Sequence, residues 1–565
     1  MCQNRGQQFD MVLCIRSQST GTHRSGFGGI LMMLMSCQQR RAPRRSSVNL
    51  DSPRAPDLFS RRLFSAGPYA DMTKPPATDE PPTVLKPNPS RPMANWRWFI
   101  AVFAIALAAL AMFSADHLLD QSTDPHFVYL ANTYNSMLAA PFSDDAAERR
   151  EDKHPFELDR EPPHRNDWAS WWEIETTDGE QLRGNWQDQV GHGPFRLLGD
   201  NAVVHLERRD VQTSERRYFV SFPPAPAWLM MPLAAVEGYD VNDVWFTLLF
   251  AALSIMLMFL LLERLAAGGI TDRSRRDNLW LTGLFGFGTV FLWCSILGQV
   301  WFTALVMGVV FTLLYLLCAI DARYPFAAGC FLALAFSTRT PLLFSAILFF
   351  AFVFFPGGRW LGTSPERLKW AGKKLFWFCL PCIVVGLSLL WMNHIRFNDF
   401  TEFGHTFLAG GMRGDIQQWG LFHFNFLSEN LTAAFALVPA IQHEYPYIQV
   451  SRHGMSLFLT TPAFLYLLWP RDRQTDPQKF VYRLLWASVA VIAIPAFFYH
   501  NTGFEQFGFR FSLDYTPYLI VLLALGHRQI NWLFKTAILA GFAVNAFGAV
   551  TFKRMPEFYF SDFFV

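Results

Sequence analysis

The sequence predicts an all-α polytopic membrane protein with about eleven membrane-spanning helices, within a range of about ten to twelve. Three observations carry this expectation. Of 565 residues, 51% are hydrophobic and 16% aromatic, with 57 Phe and 19 Trp, more than a soluble domain needs to fill its core. Several uncharged runs approach the roughly 20 residues that cross a hydrocarbon core of about 30 Å. Basic residues gather in alternate connections, as short cytoplasmic loops require. Only 17% of residues are charged and the net charge is +2, so the composition argues against nucleic acid or another strongly charged partner.

In chain order, residues 1–92 are rich in Arg, Ser, Pro and Gly, and the 75–92 tract has too few apolar residues for a core. This segment reads as a disordered tail. Its apolar stretch 28–35 is too short to span, and Met93 opens a more ordinary membrane-protein start. The tail is therefore read as an artefact of start-site choice, with a transit or regulatory segment as the alternative. The expected spans are 98–115, 244–262, two within 278–320 hinged near Leu297-Gly298-Gln299, then 325–338, 341–355, 375–392, 455–469, 484–499, 515–526 and 536–552. The transmembrane domain runs over 93–555, followed by a tail at 556–565.

Threading these spans puts three basic groups on one side. They are Arg264, Arg273, Arg275 and Arg276; then Arg359, Arg367, Lys369, Lys373 and Lys374; then Arg471, Arg473, Lys479 and Arg483. By the positive-inside rule that side is the cytoplasm, and the N-terminus shares it. The outer face receives loops 116–242, 393–454 and 501–511 and the C-terminal tail. The expected location is a bacterial inner membrane, with the working face periplasmic.

Loop 116–242 is too long for a connector. It opens with a predicted juxtamembrane helix at 124–138 and continues with strand-like sequence at 171–176 and 202–206, broken by turn signals such as Asp178-Gly179. A small β-containing excursion is expected. The stretch 221–232 carries Pro223, Pro224, Pro226 and Pro232, which argue against a regular helix, while its apolar residues suit the membrane surface. No internal repeat suggests the inverted halves of a transporter.

Of eight cysteines, Cys2, Cys14 and Cys37 lie in the tail and Cys294, Cys318, Cys330, Cys379 and Cys382 in apolar runs, so no disulfide framework is expected. Cys379-Leu-Pro-Cys382 has redox spacing without the βαβ context, and reads as two small helix residues.

Asp116, Asp120, Asp124 and His126 cluster just beyond the first span. A carboxylate there suits general-base work on a hydroxyl arriving from the aqueous side. Asp124 before Pro125 equally suits a helix N-cap, a purely structural role. His126 with Asp124 lacks the third and fourth ligands of a recognisable metal site, so a divalent metal is disfavoured and no cofactor is expected. Asp144, Asp145 and Glu148 sit among Arg149 and Arg150 as a solvated face. Arg339, in Ser337-Thr338-Arg339-Thr340-Pro341, and Arg510, in Gln506-Phe507-Gly508-Phe509-Arg510, are boundary cations suited to a phosphate. The structural alternative for Arg510 is an ion pair with Asp514, four residues on.

These features together resemble the C-type (GT-C) membrane glycosyltransferases, the superfamily of the protein mannosyltransferases (family 39) and the lipid A aminoarabinose transferase. The residues that carry the likeness are Asp124-Pro-His-Phe-Val-Tyr-Leu-Ala131 after the first span, Ser337-Thr-Arg-Thr-Pro341, and Gln506-Phe-Gly-Phe-Arg510-Phe-Ser-Leu-Asp-Tyr-Thr-Pro517. By layout it covers about 95–555. The acidic pair of many members is absent, since Pro125 follows Asp124, so Asp120 stays beside Asp124 as candidate base. The resemblance implies inverting transfer of a sugar from a polyprenyl-phosphate donor to a lipid, glycan or protein acceptor at the outer face. Asp124 or Asp120 would be catalytic, Arg339 and Arg510 would hold the donor phosphate, and His126 and Tyr515 would position acceptor or donor. The competing classes are a transporter or lipid-carrier flippase, and a non-catalytic scaffold.

Overall fold

A computed structural model describes residues 81–86, 92–187, 190–200, 202–411, 414–470 and 475–563, which belong to one compact unit spanning 78–565. The stretch 28–35, Cys2, Cys14 and Cys37 lie outside the described residues. Helix α1, Trp96–Ser114, leads through a 3₁₀ turn to α2, His126–Ala139, the expected juxtamembrane helix. Strands β1 Trp168–Thr176, β2 Gln181–Trp186, β3 Gly193–Leu197, β4 Val203–Leu206 and β5 Val211–Val220 then form an antiparallel sheet of order β4-β3-β2-β1-β5. The Asp178-Gly179 signal does make the β1–β2 turn, with Gly179 at φ +81°, a conformation open to a residue without Cβ.

The proline-rich stretch departs from expectation. It forms α3, Ala225–Glu237, because Pro224 precedes the helix and Pro226 sits in its first turn, where no intrahelical N–H is needed. Only Pro232 lies inside. Nearby, Asn135 of α2 donates to the Met231 carbonyl at 2.9 Å.

The remaining long helices are α4 Asp243–Ala267, α5 Arg275–Phe287, α6 Val300–Ala319, α7 Pro325–Phe336, α8 Ala346–Phe354, α9 Pro365–Phe397, α10 Leu427–Phe435, α11 Asp476–Phe498, α12 Thr516–Leu525 and α13 Trp532–Thr551. Six helices among the described residues are long and apolar enough to cross a membrane: those built on α1, α4, α6, α9, α11 and α13. Shorter apolar helices lie at Pro325–Phe336, Thr340–Phe354 and Thr516–Leu525. The chain is therefore a mostly helical protein whose apolar helices suit a bilayer, with six full-length apolar helices among the described residues where the sequence suggests about eleven spans. The 455–469 run illustrates why, since Thr461-Pro462 divides it into a four-residue helix, Leu457–Thr460, and a 3₁₀ segment, Pro462–Leu468. Burial sorts the long helices: α6 is 94% buried over its apolar window and forms the centre, whereas α9 is 11% buried and turns its side chains outward.

The connections fall into two sets, each bonded within itself. In one, Ser170 N–H donates to the Phe407 carbonyl at 2.7 Å, His453 Nδ1 meets Thr502 Oγ1 at 2.8 Å, and Arg554 pairs with Asp116 at 2.8 Å. In the other, Gln478 donates to the Ile270 carbonyl at 2.8 Å and Lys374 to that of Ala322 at 2.8 Å. The C-terminal residues are not a loose tail, because Tyr559 and Phe560 pair in parallel with Val450 and Ser451. Residues 81–86, placed in the disordered tail by composition, are likewise docked: Val84 and Leu85 N–H groups donate to Asp321 at 2.7 and 2.9 Å.

Of the described cysteines, all five are free, and Cys382 Sγ contacts the Gly329 carbonyl at 3.3 Å on the neighbouring α7.

Candidate functional site

Asp124 does not cap α2. The residue before the helix is Pro125, and no side chain caps that terminus. The Asp124 carboxylate, 5% exposed, instead gathers donors from three separate segments. Its Oδ2 accepts from Thr123 Oγ1 at 2.7 Å and from Gln299 Nε2 at 2.6 Å. Its Oδ1 accepts one longer bond, from Asn166 Nδ2 at 3.2 Å, and lies 3.4 Å from His164 Nε2. Oδ1 thus keeps acceptor capacity that Oδ2 has spent.

Asn166 organises the opposite wall. Its N–H donates to His164 Nδ1 at 3.2 Å, which leaves His164 Nε2 to donate to the Thr123 carbonyl at 2.7 Å. Its own carbonyl accepts from His126 Nε2 at 3.2 Å. The His126 ring is fully buried and stacks on Trp168, centroids 3.8 Å apart and planes within 10°. Burial drives this imidazole down to about 4, against the opposing charges of Asp124 and Asp167, so it is neutral at pH 7.

Gln299 reaches Asp124 because of the hinge before α6. Gly298 there has φ +70°, and a Cβ on it would lie 2.8 Å from the Val244 backbone nitrogen, so only glycine suits the turn. The hinge was legible in the sequence. Its product, a buried amide aimed at Asp124, was not.

Arg339 and Arg510 meet at the 3₁₀ turn Arg510–Asp514. Arg339 forms a two-pronged bond to Asp514, Nε to Oδ1 at 2.5 Å and a terminal nitrogen to Oδ2 at 2.7 Å. The structural alternative, an Arg510 to Asp514 pair, is not formed: a four-residue spacing favours contact in an α-helix, but this turn is 3₁₀, and Asp514 is taken by a residue far away in sequence. Arg510, 5% exposed, is left with a 3.5 Å contact to the Glu505 carbonyl and rests over the rings of Phe302 and Phe511 at 5.3 and 5.7 Å. Its Nε has no hydrogen-bond partner among the described residues. Burial pulls this guanidinium down from its ordinary range, the neighbouring Arg339 lowers it further, and Cys294 and Asp167 oppose them.

Asp167 links the two halves. It accepts from Trp301 Nε1 at 3.0 Å, holds a positive φ of 53°, and its charge reaches both His126 and Arg510. Sequence reading missed it, although Asn166-Asp167 is a turn signal in a loop suspected of function. Of the other sequence candidates, Asp120 is exposed beyond the 3₁₀ turn and apart from the Asp124 network, while Asp116 is held by Arg554. Tyr515 is buried in the main core, its N–H donating to the Ser512 carbonyl at 3.1 Å. Among the described residues no three His, Cys, Asp or Glu side chains converge as metal ligands.

The site thus brings together a buried carboxylate with hydrogen-bond acceptor capacity to spare, a neutral imidazole and an incompletely neutralised cation. No protein-family model, curated protein or solved structure matches the chain.

Proposed function

We propose that this chain is a membrane glycosyltransferase that moves a sugar from a polyprenyl-phosphate donor to an acceptor hydroxyl, with inversion. The acceptor oxygen attacks the sugar carbon and its proton passes to Asp124 Oδ1. The bond from that carbon to the phosphate oxygen breaks, and the phosphate leaves with the electron pair toward Arg510. The observation that carries this reading is the pairing, across Asp167, of a buried carboxylate that retains acceptor capacity with a buried guanidinium whose Nε is open. Arg339 is already neutralised by Asp514, so in this reading it holds the phosphate-binding turn in place rather than serving as the main phosphate contact. The membrane arrangement proposed with it has about eleven crossings in a bacterial inner membrane, with the Asp124 face periplasmic and the N-terminus cytoplasmic.

Binding of polyprenyl phosphate and single-turnover transfer, measured in nanodiscs, test the division of labour. Arg510→Gln should weaken polyprenyl-phosphate binding by roughly 10-fold or more, the worth of a charge-assisted bond. Asp124→Asn should bind as the parent does but transfer roughly two to four orders of magnitude more slowly. Undiminished transfer by Asp124→Asn would remove it as base. A flippase would share the loss at Arg510 and move the lipid without any sugar transfer.

A further inference from the structure

Residues 421–441, on the same face as the candidate site, carry an apolar surface that the protein leaves uncovered. Phe424, Phe435, Val438 and Ile441 are 74%, 42%, 63% and 87% exposed. Within α10, Leu431 and Phe435 lie four apart on one helical face, and exposed Phe424, in the 3₁₀ turn before the helix, and exposed Val438, just beyond it, extend the apolar surface at its two ends. Glu429 is the one Asp, Glu, Lys or Arg between Ile416 and His443. The opposite side of α10 is inward: Ala433 and Ala434 pack with Ala496, Phe509 and Phe511. A solvated loop would not hold one face dry and expose aromatic and aliphatic groups on the other.

What covers the outer face follows from how the segment is tethered. Its backbone is bonded to the last residues of α11, a helix long and apolar enough to span. His423 N–H donates to the Phe498 carbonyl and His500 N–H to that of Leu421, each at 2.9 Å. Asn430 Nδ2 donates to the carbonyls of Phe497 and Tyr499 at 3.2 and 2.8 Å, and the Phe424 ring meets that of Phe498 edge-on at 4.9 Å. The end of a spanning helix lies at the boundary between acyl chains and headgroups. A segment stapled to that end, with its apolar stripe facing away from the protein, is at the same depth.

We infer that residues 421–441 form a membrane-surface platform whose Phe424, Phe435, Val438 and Ile441 side chains are immersed in the headgroup and acyl boundary of the leaflet. The occupant of the apolar face is bilayer lipid. Since Phe509 and Phe511 pack against the platform's inner side and flank Arg510, lipid resting there is adjacent to the open guanidinium. The inference rests on the spanning helices and the tethering contacts, and stands or falls independently of glycosyl transfer.

The full chain in phosphatidylcholine nanodiscs provides the test. In a cysteine-free background, nitroxide labels at positions 424, 435 and 441 should be relaxed by oxygen several-fold more than by a water-soluble nickel chelate, with a label at Glu444 showing the reverse. Preferential relaxation by nickel at 424 and 441 would place the stripe in water and overturn the inference. Shielding from both reagents would assign the face to protein, a second copy included, and also overturn it. Should the cysteine-free chain fail to fold, the unaltered chain can be illuminated with phosphatidylcholine bearing a diazirine on its acyl chain. Adducts are expected on peptides from 421–441, and their absence while the α9 peptides are labelled would refute the platform.

Discussion

The buried His126 makes the clearest residue-scale prediction. The unfolded chain binds a proton near pH 6.5, whereas the folded ring, desolvated against Trp168, does so only near 4. Between those values the unfolded state holds more protons, so this residue subtracts stability as pH falls through that window. His126→Phe keeps a ring to stack on Trp168 and removes the titration. The melting temperature of the parent, measured in detergent, should therefore drop relative to that of the variant between pH 7 and pH 5; a constant difference would show that His126 is not desolvated as described. At this scale the sequence identified Asp124, His126 and Arg510 as residue types with chemical potential at a boundary. It did not reveal Asn166, His164 or Gln299, whose roles exist only because separate segments converge on one carboxylate.

At the scale of elements, the Arg339 to Asp514 bond joins the 3₁₀ segment Thr340–Ser345 to the turn that carries Arg510. Asp514 is 4% exposed, so removing its partner leaves a buried carboxylate unpaired. Arg339→Gln should cost about 3–5 kcal/mol, and adding Asp514→Asn should recover much of it. Thermal unfolding of the single and double variants checks this, and additive losses would mean that the pair is energetically uncoupled. In the proposed transferase, loss of activity in Arg339→Gln alone would mix misplacement of Arg510 with any loss of phosphate contact. Helix α3 carries the corresponding lesson about prolines, because their effect depends on where they fall relative to the helix start, which spacing alone did not fix.

For the whole molecule, the two bonded sets of loops predict sidedness. Reporters inserted near 272, 361 and 529 should agree with one another, and reporters near 178, 403 and 443 should report the opposite compartment, periplasmic if the basic residues set the orientation. One reporter crossing between the groups would break the arrangement, because Ser170 and Phe407, for example, are directly bonded.

Composition and hydropathy by themselves determined that the chain is helical and suited to a bilayer, and that the first long loop holds a helix and a small sheet. These are one-dimensional properties: the apolar length needed to cross a hydrocarbon core and the alternation of basic loops are both written along the chain. Only the tertiary structure decided which charges are satisfied. The same sequence pattern leaves Arg339 neutralised by Asp514, 175 positions away, and Arg510 with an open Nε. It also decided that 455–469 breaks into short pieces and that 81–86 docks on Asp321. The physical reason is that a buried ion's partner and an apolar segment's cover are set by what folds against them, and that information is distributed over residues hundreds of positions apart.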